Sequence, residues 1–335
     1  MNTLLVLASE GAKNLSIFDP ASPSAESIRN LSMLVLAICG VIFVIVEGVL
    51  CYCLLNFGRS SEKGMEPPQV YGSKPIEIAW TAAPALIVFI LVLVTTRALW
   101  EVETDPPKPQ SDDNALFVTV VGRQWWWEYT YEIYDGKKLG FTTSNELHIP
   151  VGQKDKKRPV HLALKSADVC HSFWVPRLAG KTDCIPGRTN YVYLQPSQPG
   201  LFLGQCAEYC GAQHANMMIR VVAEPVDEFE KWLAHEQDIA VDDPQVAQGK
   251  GAFLSQSCVN CHRVRGTSAV GTFGPDLTHL MSRKTLASGM TANSPETLRG
   301  WVTDPQKVKP SCLMPAFGLT DHDRDQLIDY LLTLK

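Results

Sequence analysis

The chain has 335 residues, 45% of them hydrophobic, and a formal net charge of −5. That length leaves room for two or three domains, and so mild a charge argues against a nucleic-acid partner. Its ten cysteines are many, yet they do not follow the even scatter of a small disulfide framework.

Residues 1–30 are polar and contain Pro20 and Pro23. The apolar run Leu4-Leu5-Val6-Leu7-Ala8 is too short for a signal-peptide core and is expected to stay attached. Residues 31–55 are apolar apart from Ser32 and Glu47, and residues 78–96 carry no charge. At about 1.5 Å per residue, each run can cross a hydrocarbon core of about 30 Å. A transmembrane hairpin is therefore expected over 31–100, with spans at about 31–55 and 78–99 and a bend at Pro84. Arg59, Lys63 and Lys74 in the connecting loop favour a cytoplasmic loop, which puts both termini on the periplasmic side. Glu47 in mid-membrane is costly unless it faces protein or water, so a functional role and simple cover by a partner both stay open.

The Pro-rich stretch Asp105–Asp113 then leads into a region of short strands, 101–225. Leu116–Val121, Trp125–Tyr134, Val160–Lys165, Thr189–Leu194 and Met217–Val222 are rich in β-branched and aromatic residues, and Asp135-Gly136, Pro186-Gly187 and Pro199-Gly200 mark turns between strands. An all-β sandwich follows. Three adjacent tryptophans, Trp125 to Trp127, cannot all point into one core, so at least one is expected to face outward. His148 and His161 read as ordinary strand histidines. Residues 226–245 form a linker, helical over Val226–His235 and polar from Glu236 to Gln245.

The chemistry concentrates in Cys206-Ala-Glu-Tyr-Cys210-Gly-Ala-Gln-His214-Ala-Asn-Met217. By themselves the two thiols could form a disulfide in an oxidising compartment, or half of a zinc site. Thiolates with an imidazole and a thioether are instead donors that copper prefers. One copper needs a single thiolate, whereas two thiolates can bridge two metals. The second imidazole is best sought at His171, in Asp168-Val-Cys-His171-Ser-Phe-Trp. Met218 is disfavoured by spacing and expected in the core.

A further segment, 246–335, contains Cys258-Val-Asn-Cys261-His262, the attachment sequence for a c-type haem. The two thiols add to the haem vinyls and His262 becomes an axial ligand of the iron. Such haem is loaded outside the cytoplasm, in agreement with the loop charges. Ala247–Ser255 is similar to a first cytochrome helix, with Gly251 as the residue for a close crossing. Gly274-Pro275-Asp276-Leu277 resembles the loop that packs the proximal histidine. Leu313-Met314-Pro315 resembles the distal loop, which favours Met314 over Met281 and Met290 as sixth ligand. The last helix, Asp323–Leu334, should turn Leu327, Ile328, Tyr330 and Leu331 inward. His279 and His322 are expected at the surface. Cys39, Cys51, Cys53, Cys170, Cys184 and Cys312 are expected to be small buried hydrophobes.

From Ala25 to Lys335 the chain thus resembles subunit II of cytochrome c oxidase, of the haem-copper type that carries its own cytochrome c domain. The resemblance implies a multidomain protein: a two-helix transmembrane hairpin, a cupredoxin-like all-β sandwich, and an all-α class I cytochrome c domain. It implies a binuclear copper centre, Cu-A, with Cys206 and Cys210 bridging, His171 and His214 each holding one metal, and Met217 and the Glu208 carbonyl as weak outer ligands. The Glu208 carboxylate would serve a magnesium or manganese ion shared with the catalytic subunit, and Asp168 would lie near a docking face. Trp125 would receive electrons from cytochrome c, and Glu77, in Lys74-Pro-Ile-Glu77-Ile-Ala-Trp80, would guard the entrance of a proton path. The expected task is to pass electrons from cytochrome c, or another soluble or membrane donor, to a haem-copper subunit I that reduces dioxygen. Subunit I, the other oxidase subunits and the lipid of a bacterial inner membrane would be the partners. Two other readings stand beside it: the same subunit paired with a nitric-oxide-reducing chain, and a membrane-anchored copper-delivery protein of thioredoxin-like fold.

Overall fold

A computed structural model describes residues 15–57, 69, 71–102, 114–153 and 157–335. The leucine run near the start, Arg59 and Lys63, and the stretch Asp105–Asp113 lie outside those residues. Two units emerge, one formed by Glu26–Glu103 and the other by Met1–Ala25 with Thr104–Lys335.

The first unit is a helical pair. Helix α1 runs from Pro23 to Phe57 and α2 from Lys74 to Val102. Their most apolar stretches have mean hydropathies of 2.8 and 2.4, and both helices are long and apolar enough to cross a membrane. Each extends beyond the apolar run, because polar residues at its ends can still complete helical turns. Pro23 suits a first helical position, where a missing N–H costs nothing, and Ser22 Oγ accepts from the Ala25 amide at 3.1 Å as the cap. Helix α2 continues through Pro84. Ser27 Oγ donates to Glu101 at 2.7 Å, which joins the start of α1 to the end of α2 in an antiparallel hairpin.

The second unit begins with two five-stranded sheets. The strands are β1 (Leu116–Arg123), β2 (Trp126–Tyr134), β3 (Lys137–Ser144), β4 (Glu146–Val151), β5 (Val160–Ser166), β6 (His171–Trp174), β7 (Thr182–Cys184), β8 (Asn190–Leu194), β9 (Gly200–Cys206) and β10 (Met218–Pro225). One sheet has the order β3-β2-β1-β5-β8 and the other β4-β10-β9-β6-β7. Asp135 and Gly136 both take positive φ, 47° and 71°, the geometry that turns β2 tightly into β3. Along β2 the side chains of Trp127, Tyr129 and Tyr131 are fully buried, while Trp126, Glu128 and Thr130 alternate outward. Trp126 is therefore the tryptophan that leaves the core, with the Arg123 guanidinium 5.4 Å above its ring.

Helix α3 (Val226–Gln237) packs Phe229 and Leu233 against the sandwich core. It runs two residues past His235, and Glu236 and Ala240 in the expected polar linker are buried. Beyond it come α4 (Ala247–Ser255), α5 (Cys258–Cys261), the short ribbon β11 (Thr285–Leu286) and β12 (Thr291–Ala292), α6 (Pro295–Thr303), α7 (Pro305–Val308) and α8 (Asp321–Thr333). The inner face of α8 is Leu327, Ile328, Tyr330 and Leu331, as its spacing requires. Gly251 has open space beside it, and Gly249 is instead the residue at the helix crossing: a Cβ there would collide with the Gln326 carbonyl of α8. Helical phase explains the difference, since Gly249 lies one residue pair round from Gly251 and faces the partner helix.

Candidate functional site

Strand β9 ends at Cys206, and the turn that follows returns to β10 through Cys210, His214 and Met217. Strand β6 begins at His171 beside it, with Phe173 paired to Cys206. The sulfurs of Cys206 and Cys210 are 3.8 Å apart, too far for a disulfide. His171 Nδ1 lies 3.9 Å from Cys206 Sγ, and His214 Nδ1 lies 3.6 Å from Cys210 Sγ. The Glu208 carbonyl is 3.2 Å from Cys206 Sγ, and Met217 Sδ is 3.9 Å from Cys210 Sγ. His171, Cys206 and Cys210 are all buried and bring their ligand atoms within 4.8 Å of one another. Two soft thiolates, two imidazoles, a thioether and a carbonyl form a donor set that suits copper.

Neighbouring residues hold this set in place. Asp168 accepts from His171 Nε2 at 2.7 Å, which turns Nδ1 toward the sulfurs. The same carboxylate accepts from the Gln124 amide at 2.7 Å. Burial alone would raise Asp168, but its bonds from His171 and the Gln124 and Val169 amides outweigh that and hold it below the usual carboxyl value. Burial likewise opposes a charge on His171, yet the bonds to Asp168 and Cys206 leave its pKa raised. The bond between the two sulfurs is the main cause that draws Cys206 below the ordinary thiol value and raises Cys210 above it. Gly122 on β1 leaves room for the His171 ring, which would lie 2.9 Å from a Cβ there. Trp125 Nε1 and Gln124 Nε2 both donate to the Cys210 carbonyl, at 2.9 and 2.8 Å.

On its other side Trp125 lines a large apolar cavity. Cys258, Cys261, His262 and Met314 also line it, together with Phe253, Leu298, Trp301 and Leu327. His262 Nδ1 lies 2.8 Å from the Pro275 carbonyl, which leaves Nε2 to serve as a ligand. Burial lowers the pKa of this histidine and so favours the neutral, ligating form. Two free thiols, an oriented imidazole and a thioether around an apolar slot fit a haem. Met281 and Met290 do not line the cavity, and Cys312 does.

The haem-bearing segment and the sandwich meet through buried polar contacts. Glu146 at the start of β4 accepts from the Lys284 and Thr285 amides, each at 3.0 Å. The Met218 amide donates to Ser288 O at 3.2 Å, and Gln213 Nε2 to Pro310 O at 2.7 Å. Trp125, which lines the cavity together with residues of that segment, is only 8% exposed.

Several expectations need correction. Met218 is 37% exposed, since β10 alternates and Met217 takes the inward position. His279 is 2% exposed, with ring nitrogens 2.8 Å from Lys335 O and 3.2 Å from Asp238 O. His322 is exposed. Of the six remaining cysteines only Cys184 is buried; Cys39, Cys51, Cys53 and Cys170 are exposed and Cys312 is half-buried. Outside these corrections, Glu77 is exposed in the first turn of α2, where its Oε1 accepts from the Ser73 amide at 3.3 Å. Asp168, expected near a docking face, is exposed and also holds the His171 ring; its place three residues before His171 was the available signal for that contact. Gln124 and Lys309 carried no signal of their own.

Comparison with known proteins agrees with this arrangement. Residues 116–224 match the family described as cytochrome c oxidase subunit II, periplasmic domain, residues 11–97 its transmembrane domain, and residues 246–335 cytochrome c. The cytochrome c oxidase subunit 2 of Alkalihalophilus pseudofirmus is 34% identical over 99% of this chain and 94% of its own length. That of Bacillus sp. strain PS3 is 34% identical with the same coverage, and that of Bacillus subtilis 31% identical over 99% and 95%. Two membrane-spanning helices, a cupredoxin-like sandwich and a cytochrome c segment in this order, matched along nearly the whole length, place the chain in the cytochrome c oxidase subunit II family.

Proposed function

We propose that electrons enter a respiratory terminal oxidase through this chain, from a soluble or membrane donor to a c-type haem, then to a binuclear Cu-A centre. From there they pass to the haem-copper subunit I that reduces dioxygen to water. One observation carries this reading: Trp125 bonds to the carbonyl of Cys210 and also lines the cavity that holds His262 and Met314. When bound, the haem and the copper pair each supply a one-electron redox change.

The residues act by holding geometry. Cys206, Cys210, His171 and His214 would hold the copper pair, the histidines through Nδ1, with Met217 and the Glu208 carbonyl as weak outer donors. Cys258 and Cys261 would hold the haem through their sulfurs, and His262 and Met314 would ligate its iron. A rigid loop anchored by Asp168, Gln124 and Trp125 limits rearrangement on redox change, which keeps transfer fast at low driving force. Because the haem-bearing segment covers Trp125, a donor reaches the haem side first. The family resemblance further assigns a magnesium or manganese ion to the Glu208 carboxylate and a proton-path entrance to Glu77. The membrane would be the bacterial inner membrane, with both termini and residues 104–335 on the periplasmic side. Two five-stranded sheets leave no support for a thioredoxin-like copper-delivery protein.

The test is electron paramagnetic resonance with an optical spectrum on the full chain loaded with haem and copper. One electron shared by two equivalent copper nuclei, beside a low-spin haem, is the expected result. A single-copper spectrum would overturn the binuclear assignment. Gas uptake by the native complex, dioxygen against nitric oxide, tests the catalytic partner.

A further inference from the structure

Between the two cofactor sites, in the wall of the haem cavity, lies a lysine that belongs to neither ligand set. Lys309 follows α7 and is 3% exposed. A buried ammonium needs acceptors for its three protons. Lys309 Nζ donates to Trp125 O at 2.8 Å, to Asn216 O at 2.8 Å and to Ala287 O at 3.1 Å. The first two belong to the sandwich and the third to the haem-bearing segment. Trp125 rests on Cys210, and Asn216 immediately precedes Met217. The next residue, Pro310, accepts from Gln213 of the same copper-side loop, and four residues further on is Met314.

All three acceptors are main-chain carbonyls. A carboxylate partner could swing to another rotamer and keep its ion pair, but carbonyls of the backbone cannot. An ammonium held by carbonyls from both sides therefore specifies a distance between them. Burial pushes the pKa of Lys309 down to about 7, so a charged lysine is an unfavourable choice for mere space filling, and its three acceptors oppose loss of the proton.

We propose that Lys309 is the positioning residue that sets the register of the haem-bearing segment on the copper-ligand loop. What lies on either side rests on the function proposed above, but the positioning itself can be read without electron transfer. In the full chain loaded with haem and copper, Lys309→Met keeps both optical spectra. Its Met218, Lys284 and Thr285 amides, which bond across the junction, should exchange hydrogen at least about tenfold faster than in the parent, the scale of losing a charged hydrogen bond. The amides of Val221 in β10 and Leu331 in α8 should not change. Lys309→Arg, which keeps charge and donors, should restore the slow exchange. The haem midpoint potential should fall in Lys309→Met and not in Lys309→Arg, because only the first removes a cation from the wall of the haem cavity. Unchanged exchange at the junction overturns the proposal. So does loss of either cofactor, or faster exchange at Val221 and Leu331 as well, since Lys309 would then be needed for folding. If exchange responds as expected but the parent chain itself gives no two-copper spectrum, the register holds and only the functional reading fails.

Discussion

At the residue scale, the six donors of the Cys206–Cys210 site depend on side chains outside the donor set. Asp168 fixes which nitrogen of His171 faces the sulfurs. Asp168→Ala should weaken copper binding about 10–100-fold, the usual effect of losing such a partner, measured by chelator competition on the full chain; an unchanged affinity would show that packing alone orients the ring. On the haem side, Met314→Ala should convert the iron to a high-spin spectrum, whereas Met281→Ala should leave it low-spin. The ligand types were legible because copper and haem demand unusual donors at fixed spacing. Asp168 and Lys309 were not, because a carboxylate or an ammonium has many surface uses, and only the fold decides which backbone it meets.

At the scale of elements, alternation in sequence marked β1, β2, β5, β8 and β10, the strands with a run of β-branched or aromatic residues. Strand β3, Lys137–Ser144, escaped because it is mostly polar; the tight turn at Asp135-Gly136 and its pairing to β2 create it. Strands β6 and β7 are too short for any period to show. Among helices, the close crossing of α4 and α8 was legible as a need for glycine but not as a position, since Gly249 and Gly251 look alike without helical phase. Their difference is testable by thermal unfolding of the haem-loaded chain. Gly249→Ala must push the Gln326 backbone aside and should destabilise by about 1–3 kcal/mol. Gly251→Ala, with open space, should be neutral or stabilise by up to about 1 kcal/mol. Equal effects would show that the crossing tolerates a methyl group.

At the scale of the whole molecule, fusion of a haem-bearing segment to the copper-bearing sandwich changes the kinetics of electron delivery. A tethered donor is present at a fixed effective concentration, so its transfer does not wait for diffusion. Here the tethered segment also covers Trp125, and the residue expected to meet an external donor is almost out of solvent. Mixing the full chain with a reduced soluble cytochrome should therefore give two phases. Haem reduction should speed up in proportion to donor concentration, while copper reduction should follow at a rate that donor concentration does not change. Removing copper with a chelator should abolish the second phase and leave the first intact, because the donor touches only the haem side. A copper phase that accelerated in step with the donor would mean that the segment lifts off and exposes Trp125. Comparing that phase in Lys309→Met would then show whether the buried ammonium is what normally keeps the face closed.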